Sequence, residues 1–568
     1  MFENAIDHLN RERGVLFAPV TETSYEGYVK VRGERIKLCI EFGAGFPDIF
    51  PTIRVVESKR FIPHVSDNGL LCLFNTDSVM IKPGLTEELL LDSYDRAIEI
   101  IMMDSEEQKQ EVFREFFAYW NQQPSRVFRL YMNLPEPQEH EFQEYTAIGE
   151  ETNRLVVASS VDEAKKLLVN HMHCSFENTE KYHIPVVRIR LRSSVLPPKI
   201  GSKPTWKAVR SFILENITGS QKRNFNRILS LNTKVIHQIL LLVIPSSFGD
   251  QYACMRLHHI NAKRKSAIRN TSECQVDIVT SFRIDKNYLL ARGGAEVDLS
   301  KKSVLLIGCG SVGGFLAENL CQCGIGVLDI LDKDILTVEN VHRHVLGFND
   351  AMLGKYKADL IKTHLEERFP YVEIDSLGFE DRTAEAFLED AGRLKGYDLI
   401  VSATGNPAID LMINDALYQL DDAPPFVTCF NEPYGIGGHA VAVFRNGSCL
   451  RCLYSDPVSG ELTQFQGCFV KPGQSFLKSF SGCAGSFMEY SVLDSQQTAI
   501  MTSRLIIKVL NGTCSHTRLE SWMGSAERLR SEGFKTSDYY EELERSGKVF
   551  ITRDISRAEG CKTCGSCQ

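Results

Sequence analysis

The 568-residue chain sets 64 Lys and Arg against 73 Asp and Glu for a net charge of −9 and a pI near 5.9, a balance that gives no reason to expect a nucleic-acid partner. No apolar run reaches the roughly 18 residues needed to span a bilayer, and MFENAIDHLNRERG is no signal peptide, so a cytoplasmic protein of about three domains is expected, with no membrane partner. Seventeen cysteines in so long a chain suggest metal and thiolate roles in preference to the disulfide framework of a small secreted domain.

From Glu26 the sequence runs through short strand-like segments, GYVKV, RIKLCIEF and TIRVVE, with the proline-bearing FPDIFP between the last two. FIPHVSDNGLLCLFN follows, and then amphipathic helical stretches from Thr86 to about Trp120. Antiparallel strands, a proline turn, a cysteine in an extended segment and closing helices make an α+β pattern. It resembles the ubiquitin-conjugating fold over residues 1–135. That family places its catalytic cysteine three residues after a glycine, downstream of a His-Pro-Asn motif. Here Cys72 stands three after Gly69, with His64 upstream. PHVS lacks the Pro-Asn, so the oxyanion-stabilising asparagine is not carried over. Flanked by Leu71 and Leu73, Cys72 also fits the pattern of a core thiol.

MNLPEPQEHEF marks the first boundary. The middle region, 143–290, holds a helix-like run at 161–170, the strands IPVVRIRL and QILLLVIP, and the basic loop PPKIGSKPTWK. It carries no interpretable motif. An α/β domain for dimerisation or partner docking is expected, with a truncated nucleotide-fold relic as the alternative. The cluster HHINAKRKSAIR is expected to be a solvated face.

The most informative string is SVLLIGCGSVGGFLAENL, beginning at Ser303. An apolar run (304–307) enters a turn with Gly308, Gly310 and Gly313, and a helix-like stretch follows. Such glycines let the backbone approach phosphate at a helix N-terminus. The acidic residue expected about 20 residues on, for a ribose hydroxyl, is Asp332. The fingerprint alone would suit NAD. Two basic residues argue otherwise: Arg343 in ENVHRH and Lys357 in GKYKADLIKTHL. Nucleotidyl transfer needs such clamps, because charge builds on the triphosphate as a carboxylate attacks the α-phosphorus.

With its glycine loop, DKD (Asp332, Asp334), NxxR (Asn340, Arg343) and Lys357, the chain resembles the ThiF/MoeB/ubiquitin-activating superfamily from about residue 291 to 568. The resemblance implies a doubly wound α/β adenylation domain that binds ATP through Asp332, Asn340, Arg343 and Lys357. Where that family carries an aspartate for magnesium, YDLIVSATGNPA has Gly405, so Asp398, Asp332 and Asp334 are the remaining candidates for Mg2+. CLRC and CKTC pair Cys449 and Cys452 with Cys561 and Cys564, a spacing suited to tetrahedral zinc. The resemblance strengthens this, since bacterial members carry two such pairs. Members that pass an acyl group onward use a cysteine in the loop crossing the adenylate. Cys483, just before AGSF and a helical pattern, is the first choice, with Cys468 and Cys514 as alternatives. Dimerisation through the adenylation module is also implied, and Arg292 is a weak candidate for an arginine reaching the partner's phosphates.

Taken whole, the chain resembles bacterial fusions of ubiquitin-activating and ubiquitin-conjugating enzymes, known from CBASS antiphage operons. The resemblance implies that the C-terminus of a cyclic-oligonucleotide synthase (a CD-NTase) is joined to target lysines, with acyl flow from Cys483 to Cys72. A sulfur-carrier adenylyltransferase and a catalytically inactive scaffold are the competing readings.

Overall fold

The computed structural model describes residues 2–58, 62–66, 68–74, 85–121, 129–149, 154–172, 174, 182–198, 204–230, 237–259, 274–378, 383–479 and 486–565. Among them no helix is long and apolar enough to cross a membrane. The chain divides into two compact units, Met1–Ala164 with Glu177–Phe282, and Lys165–Phe176 with Arg283–Gln568.

In the first unit, helix α1 (Phe2–Arg13) precedes four antiparallel strands in the order β1 (Phe17–Pro19), β2 (Ser24–Val31), β3 (Glu34–Glu41), β4 (Thr52–Glu57). Alternation builds this sheet: Tyr25, Val29 and Val31 of β2 are buried while Tyr28 and Lys30 face out. The inward residues meet Ile6 and Leu9 of α1 and Leu90, Ala97 and Ile101 of α2 (Thr86–Met102) in one core.

A second, eight-stranded sheet follows, in the order β11-β10-β9-β8-β6-β7-β5-β12. Its strands are β5 (Arg129–Asn133), β6 (Phe142–Gly149), β7 (Arg154–Ala158), β8 (Tyr182–Arg190), β9 (His237–Ile244), β10 (Gln251–His259), β11 (Cys274–Ile278) and β12 (Thr280–Arg283). β5 precedes most of the proline-bearing stretch yet pairs in parallel with β7 beyond it. Phe113 of α3 (Ser105–Arg114), Phe116 and Trp120 of α4 (Phe116–Trp120), and Trp206 and Ile213 of α5 (Trp206–Asn216) pack on one face of this sheet. Its other face forms a separate core around Leu130, Leu155, Val186 and Leu241. The basic run at 258–269 falls largely outside the described residues.

The second unit is a doubly wound α/β fold. Strands β13 (Ser303–Ile307), β14 (Val327–Leu331), β15 (Glu373–Ser376), β16 (Leu399–Ser402) and β17 (Phe426–Asn431) are parallel in the order β15-β14-β13-β16-β17. Antiparallel β18 (Gly437–Val443), β21 (Arg518–Met523) and β22 (Phe550–Asp554) extend the sheet. A hairpin of β19 (Leu477–Ser479) and β20 (Ser486–Met488) stands apart from it. The period of two in β13 sends Val304 and Leu306 to one face and Leu305 and Ile307 to the other. Helices α6 (Gly313–Gln322), α7 (Lys357–Arg368) and α9 (Val492–Leu510) cover the first face, and α8 (Pro407–Gln419) covers the second. Strand order reverses between β13 and β16, and open α/β sheets bind ligands in the crevice outside the carboxyl ends of strands at such a point.

Candidate functional site

At that crevice each glycine of the loop has its own reason. Gly308 has φ +88°, a conformation few side chains adopt. A Cβ on Gly313 would lie 2.0 Å from the Gly308 carbonyl oxygen, so only hydrogen fits where α6 leaves the loop. Gly310 faces open space and lines two adjoining cavities of ≈ 240 Å³ each. The first is walled by Ser311, Val312, Asn340, Arg343, His344, Lys357, Thr404, Gly405, Asn431 and Tyr490. The second is walled by Gly308, Asp332, Asp334, Lys357 and Thr404. Folding has thus gathered the glycine loop, DKD, NxxR and the lysine around one crevice.

The groups there are tied together. Asp332 accepts from the backbone N–H groups of Cys309 and Asp334, both at 2.8 Å, clamping the glycine loop to the DKD turn. Lys357, nearly buried, reaches Asp334 at 3.0 Å, and its backbone N–H donates to the Asp334 carbonyl at 2.8 Å. Asn340 Oδ1 accepts from Thr337 N at 3.3 Å and so shapes the turn that carries Arg343. Arg343 donates to the Met488 carbonyl at 3.3 Å and lies over the Tyr490 ring, whose hydroxyl meets Ser311 Oγ at 2.8 Å.

His344 received no role from the sequence. Its Nε2 donates to the Cys309 carbonyl at 2.8 Å and its Nδ1 accepts from Leu346 N at 3.1 Å. Burial lowers its pKa, which favours the neutral imidazole. Thr404, Asn431 and Tyr490 were likewise missed, since strand ends and a loop far along the chain carry no local signature.

Asp398 has to be withdrawn as a magnesium candidate. It directly precedes β16, pairs with Lys302 at 3.0 Å and accepts from Ser303 N at 2.9 Å, a strand length of roughly 16 Å from the crevice. Gly405, with φ +64°, lines the first cavity and offers no side-chain ligand atom. The carboxylates on the crevice wall are Asp332, Asp334 and Glu385; the first two are the expected candidates that remain, hard oxygen donors of the kind Mg2+ takes.

The four paired cysteines converge as their spacing suggested. Sγ separations are 3.9 Å for Cys449 to Cys452, 3.5 Å for Cys449 to Cys561 and 3.3 Å for Cys452 to Cys564. Thiolates about 2.3 Å from a shared tetrahedral ion would sit about 3.8 Å apart. All four are buried, and the Ala558 N–H points at Cys452 Sγ at 3.5 Å, as in many thiolate sites. A Cβ on Gly460 would lie 1.9 Å from the Gly560 carbonyl oxygen, so glycine lets the two distant segments touch.

Cys483 lies outside the described residues. The helix expected just after it begins only at Val492, because Ser491 and Asp494 form its capping box. Ser486–Met488 is a strand instead. Of the alternatives, Cys468 has its thiol pushed up to about 12 by burial and by the Glu432 carboxylate at 3.7 Å. Cys514 is buried against the His516 carbonyl. Arg292 ends an exposed helix, Lys286–Arg292.

Cys72 is exposed, between buried Leu71 and Leu73, which removes the core-thiol reading. Its N–H donates to the His64 carbonyl at 2.8 Å. The His64 ring meets Glu111 at 3.1 Å and Glu115 at 3.5 Å, and the His64 N–H donates to the Tyr119 hydroxyl at 2.6 Å.

Residues 285–517 match the ThiF family and residues 18–128 match the prokaryotic E2 family B. The chain is therefore a fusion of a ThiF-family adenylation module and a ubiquitin-conjugating-like module, an adenylyltransferase of the activating and conjugating type. Along its length it is similar to the ATP-dependent ubiquitin transferase-like protein Cap2 of Escherichia coli (strain TW11681), 23% identical over 92% of this chain and 93% of that protein. Cap2 of Pseudomonas aeruginosa (strain BWHPSA011 / Pa011) is 22% identical over 81% of this chain and 83% of its own length. Part of the chain is also similar to the adenylyltransferase and sulfurtransferase MOCS3 of Anopheles gambiae, 32% identical over 31% of this chain and 38% of that protein.

Proposed function

We propose that the chain uses ATP to adenylate the C-terminal carboxylate of a protein, takes the acyl group onto Cys483, passes it to Cys72 and joins it to a lysine of a target protein. The supporting observation is the crevice itself: glycine loop, Asp332, Asn340, Arg343 and Lys357 share it, in a chain whose other module presents an exposed thiol.

The glycine loop and the start of α6 receive the phosphates, and Asp332 faces the ribose. Arg343 and Lys357 neutralise charge as pyrophosphate departs. To meet a phosphate, Lys357 loosens its pair with Asp334, and Arg343 its bond to Met488. Asp334, with Asp332 beside it, would hold magnesium, which would supply further charge neutralisation. Zinc on the four cysteines supplies a crosslink between segments distant in sequence. Tethering both modules on one chain raises the concentration of Cys72 seen by the first thioester.

A CD-NTase, in a CBASS antiphage setting, is the substrate we favour, from the full-length similarity to Cap2. We place the protein in the cytoplasm as a homodimer. Exposed Phe348, Met352 and Leu353, with Ile335 and Val338 close by in sequence, make an apolar surface suited to a second copy. Residues 143–290 serve docking in this scheme.

The thiols provide the test. Cys483→Ala should form acyl-adenylate but no thioester, and Cys72→Ala should accumulate a reducible adduct on Cys483 without conjugating. Cys72→Lys should trap the acyl group as a stable amide. Conjugation by Cys72→Ala at the wild-type rate would exclude the relay. It would favour a sulfur-carrier adenylyltransferase, the reading that the similarity to MOCS3 supports.

A further inference from the structure

We infer that Asn431 is a catalytic hydrogen-bond donor to the acyl group in the adenylation crevice; this rests on the adenylation reading above. Asn431 ends β17 and is 7% exposed. It lines the first cavity together with Arg343 and Lys357. The Trp522 indole N–H, which can only donate, gives its proton to Thr498 Oγ1 at 2.7 Å. The Thr498 hydroxyl passes its own proton to Asn431 Oδ1. That relay sets the amide: oxygen towards Thr498, nitrogen away from it. Asn431 Nδ2 is buried and, among the described residues, has no hydrogen-bond partner.

The relay is built into the sheet. Gly438 is the antiparallel partner of Asn431. A Cβ there would lie 2.0 Å from Thr498 Oγ1 and 2.5 Å from Trp522 Nε1. Glycine therefore leaves the room that the three side chains use. A buried donor without a partner is costly to keep, and one held in place by such a relay on a cavity wall has a ligand to meet.

Its position in the sheet indicates which part of the ligand. Asp332 follows β14, the glycine loop follows β13, Thr404 and Gly405 follow β16, and Asn431 closes β17. Neighbouring strands are about 4.8 Å apart. Nucleotide laid with its ribose at Asp332 and phosphates at the glycine loop puts the acyl group towards β17. Arg343 and Lys357 supply charge for the phosphates, whereas a neutral N–H suits a carbonyl oxygen. One carboxylate oxygen of the substrate bonds to the α-phosphorus as the bond from phosphorus to pyrophosphate breaks, and pyrophosphate leaves with that electron pair. No proton moves. The other carboxylate oxygen accepts from Asn431 Nδ2. When a thiolate later attacks the acyl carbon, this oxygen takes up the negative charge. A C–S bond forms, the C–O bond to phosphate breaks, and AMP leaves with its electron pair.

The probes are ATP and 5′-O-(N-glycylsulfamoyl)adenosine, a stable mimic of an acyl-adenylate, titrated calorimetrically into the full chain. Asn431→Ala should bind the mimic at least tenfold more weakly than wild type while ATP affinity stays within twofold. Asn431→Asp keeps the acceptor for Thr498 and replaces the donor by a carboxylate, so it should fold as wild type and lose still more affinity for the mimic. Unchanged affinity for the mimic in Asn431→Asp overturns the assignment, as does equal weakening of ATP and mimic. A wild-type chain that binds ATP but not the mimic overturns it too. Should wild type bind neither, the adenylation reading falls and takes this assignment with it.

Discussion

At the scale of single residues the crevice makes one rate prediction and one pH prediction. Arg343 lines the crevice and, among the described residues, donates there to the Met488 backbone carbonyl. Arg343→Ala should slow ATP–pyrophosphate exchange about 100-fold and leave thermal unfolding nearly unchanged; exchange near the wild-type rate would remove Arg343 from the mechanism. Asp410 lies buried beneath the crevice, accepting from the hydroxyls of Ser402 and Thr428. Burial pushes its carboxyl up from 3.8 to about 6, against the pull of those hydroxyls. Between these values the unfolded chain has released a proton that the folded one keeps. Stability is therefore lost as pH rises through the window, and the penalty is complete above about 6. Relative to Asp410→Asn, wild type should lose on the order of 2–3 kcal/mol between pH 4 and pH 6.5. Urea unfolding of both proteins at the two pH values measures it, and parallel curves would show that Asp410 ionises freely.

Elements carry two further predictions. The turn from β13 into α6 has no room at Gly313, so Gly313→Ala should cost on the order of 2–4 kcal/mol by displacing the Gly308 carbonyl. A lowered unfolding midpoint together with lost ATP binding is the expected result. The four-cysteine cluster joins the segment at 449–452 to that at 561–564. Protein purified without chelator should contain about one zinc per chain, and Cys561→Ser should lose the metal and unfold at lower temperature. Metal-free wild type of undiminished stability would contradict the site. Much of this was legible beforehand. The glycine loop, DKD and CxxC pairs declare themselves because each depends on residues a few positions apart. The start of α9 was misplaced by several residues, because the capping box at Ser491 and Asp494 outweighed the apolar pattern nearer Cys483.

For the whole molecule the testable matter is self-association. Phe348 is 60%, Met352 65% and Leu353 58% exposed, large apolar side chains grouped beside the turn that carries Arg343. The 64.0 kDa chain should sediment as a dimer, and Phe348→Glu combined with Met352→Glu should convert it to monomer. A monomeric wild type at micromolar concentration would leave that surface for another partner.

What the sequence by itself determined is whatever repeats or reacts locally. Period-two burial in β2 and β13, the phosphate-binding glycines, the basic residues after them and the two CxxC pairs all follow from side-chain spacing and backbone freedom within a few residues. The tertiary structure decided what depends on register and on distant partners. Parallel pairing of β13 with β16 carried Asp398 to the end of the sheet away from the crevice. Packing of Leu71 and Leu73 inward turned Cys72 outward. The meeting of β17, β18, α9 and β21 fixed the Asn431 amide through Thr498 and Trp522. Those residues are separated by as many as 91 positions along the chain, Asn431 to Trp522, and no local pattern records which of them will touch.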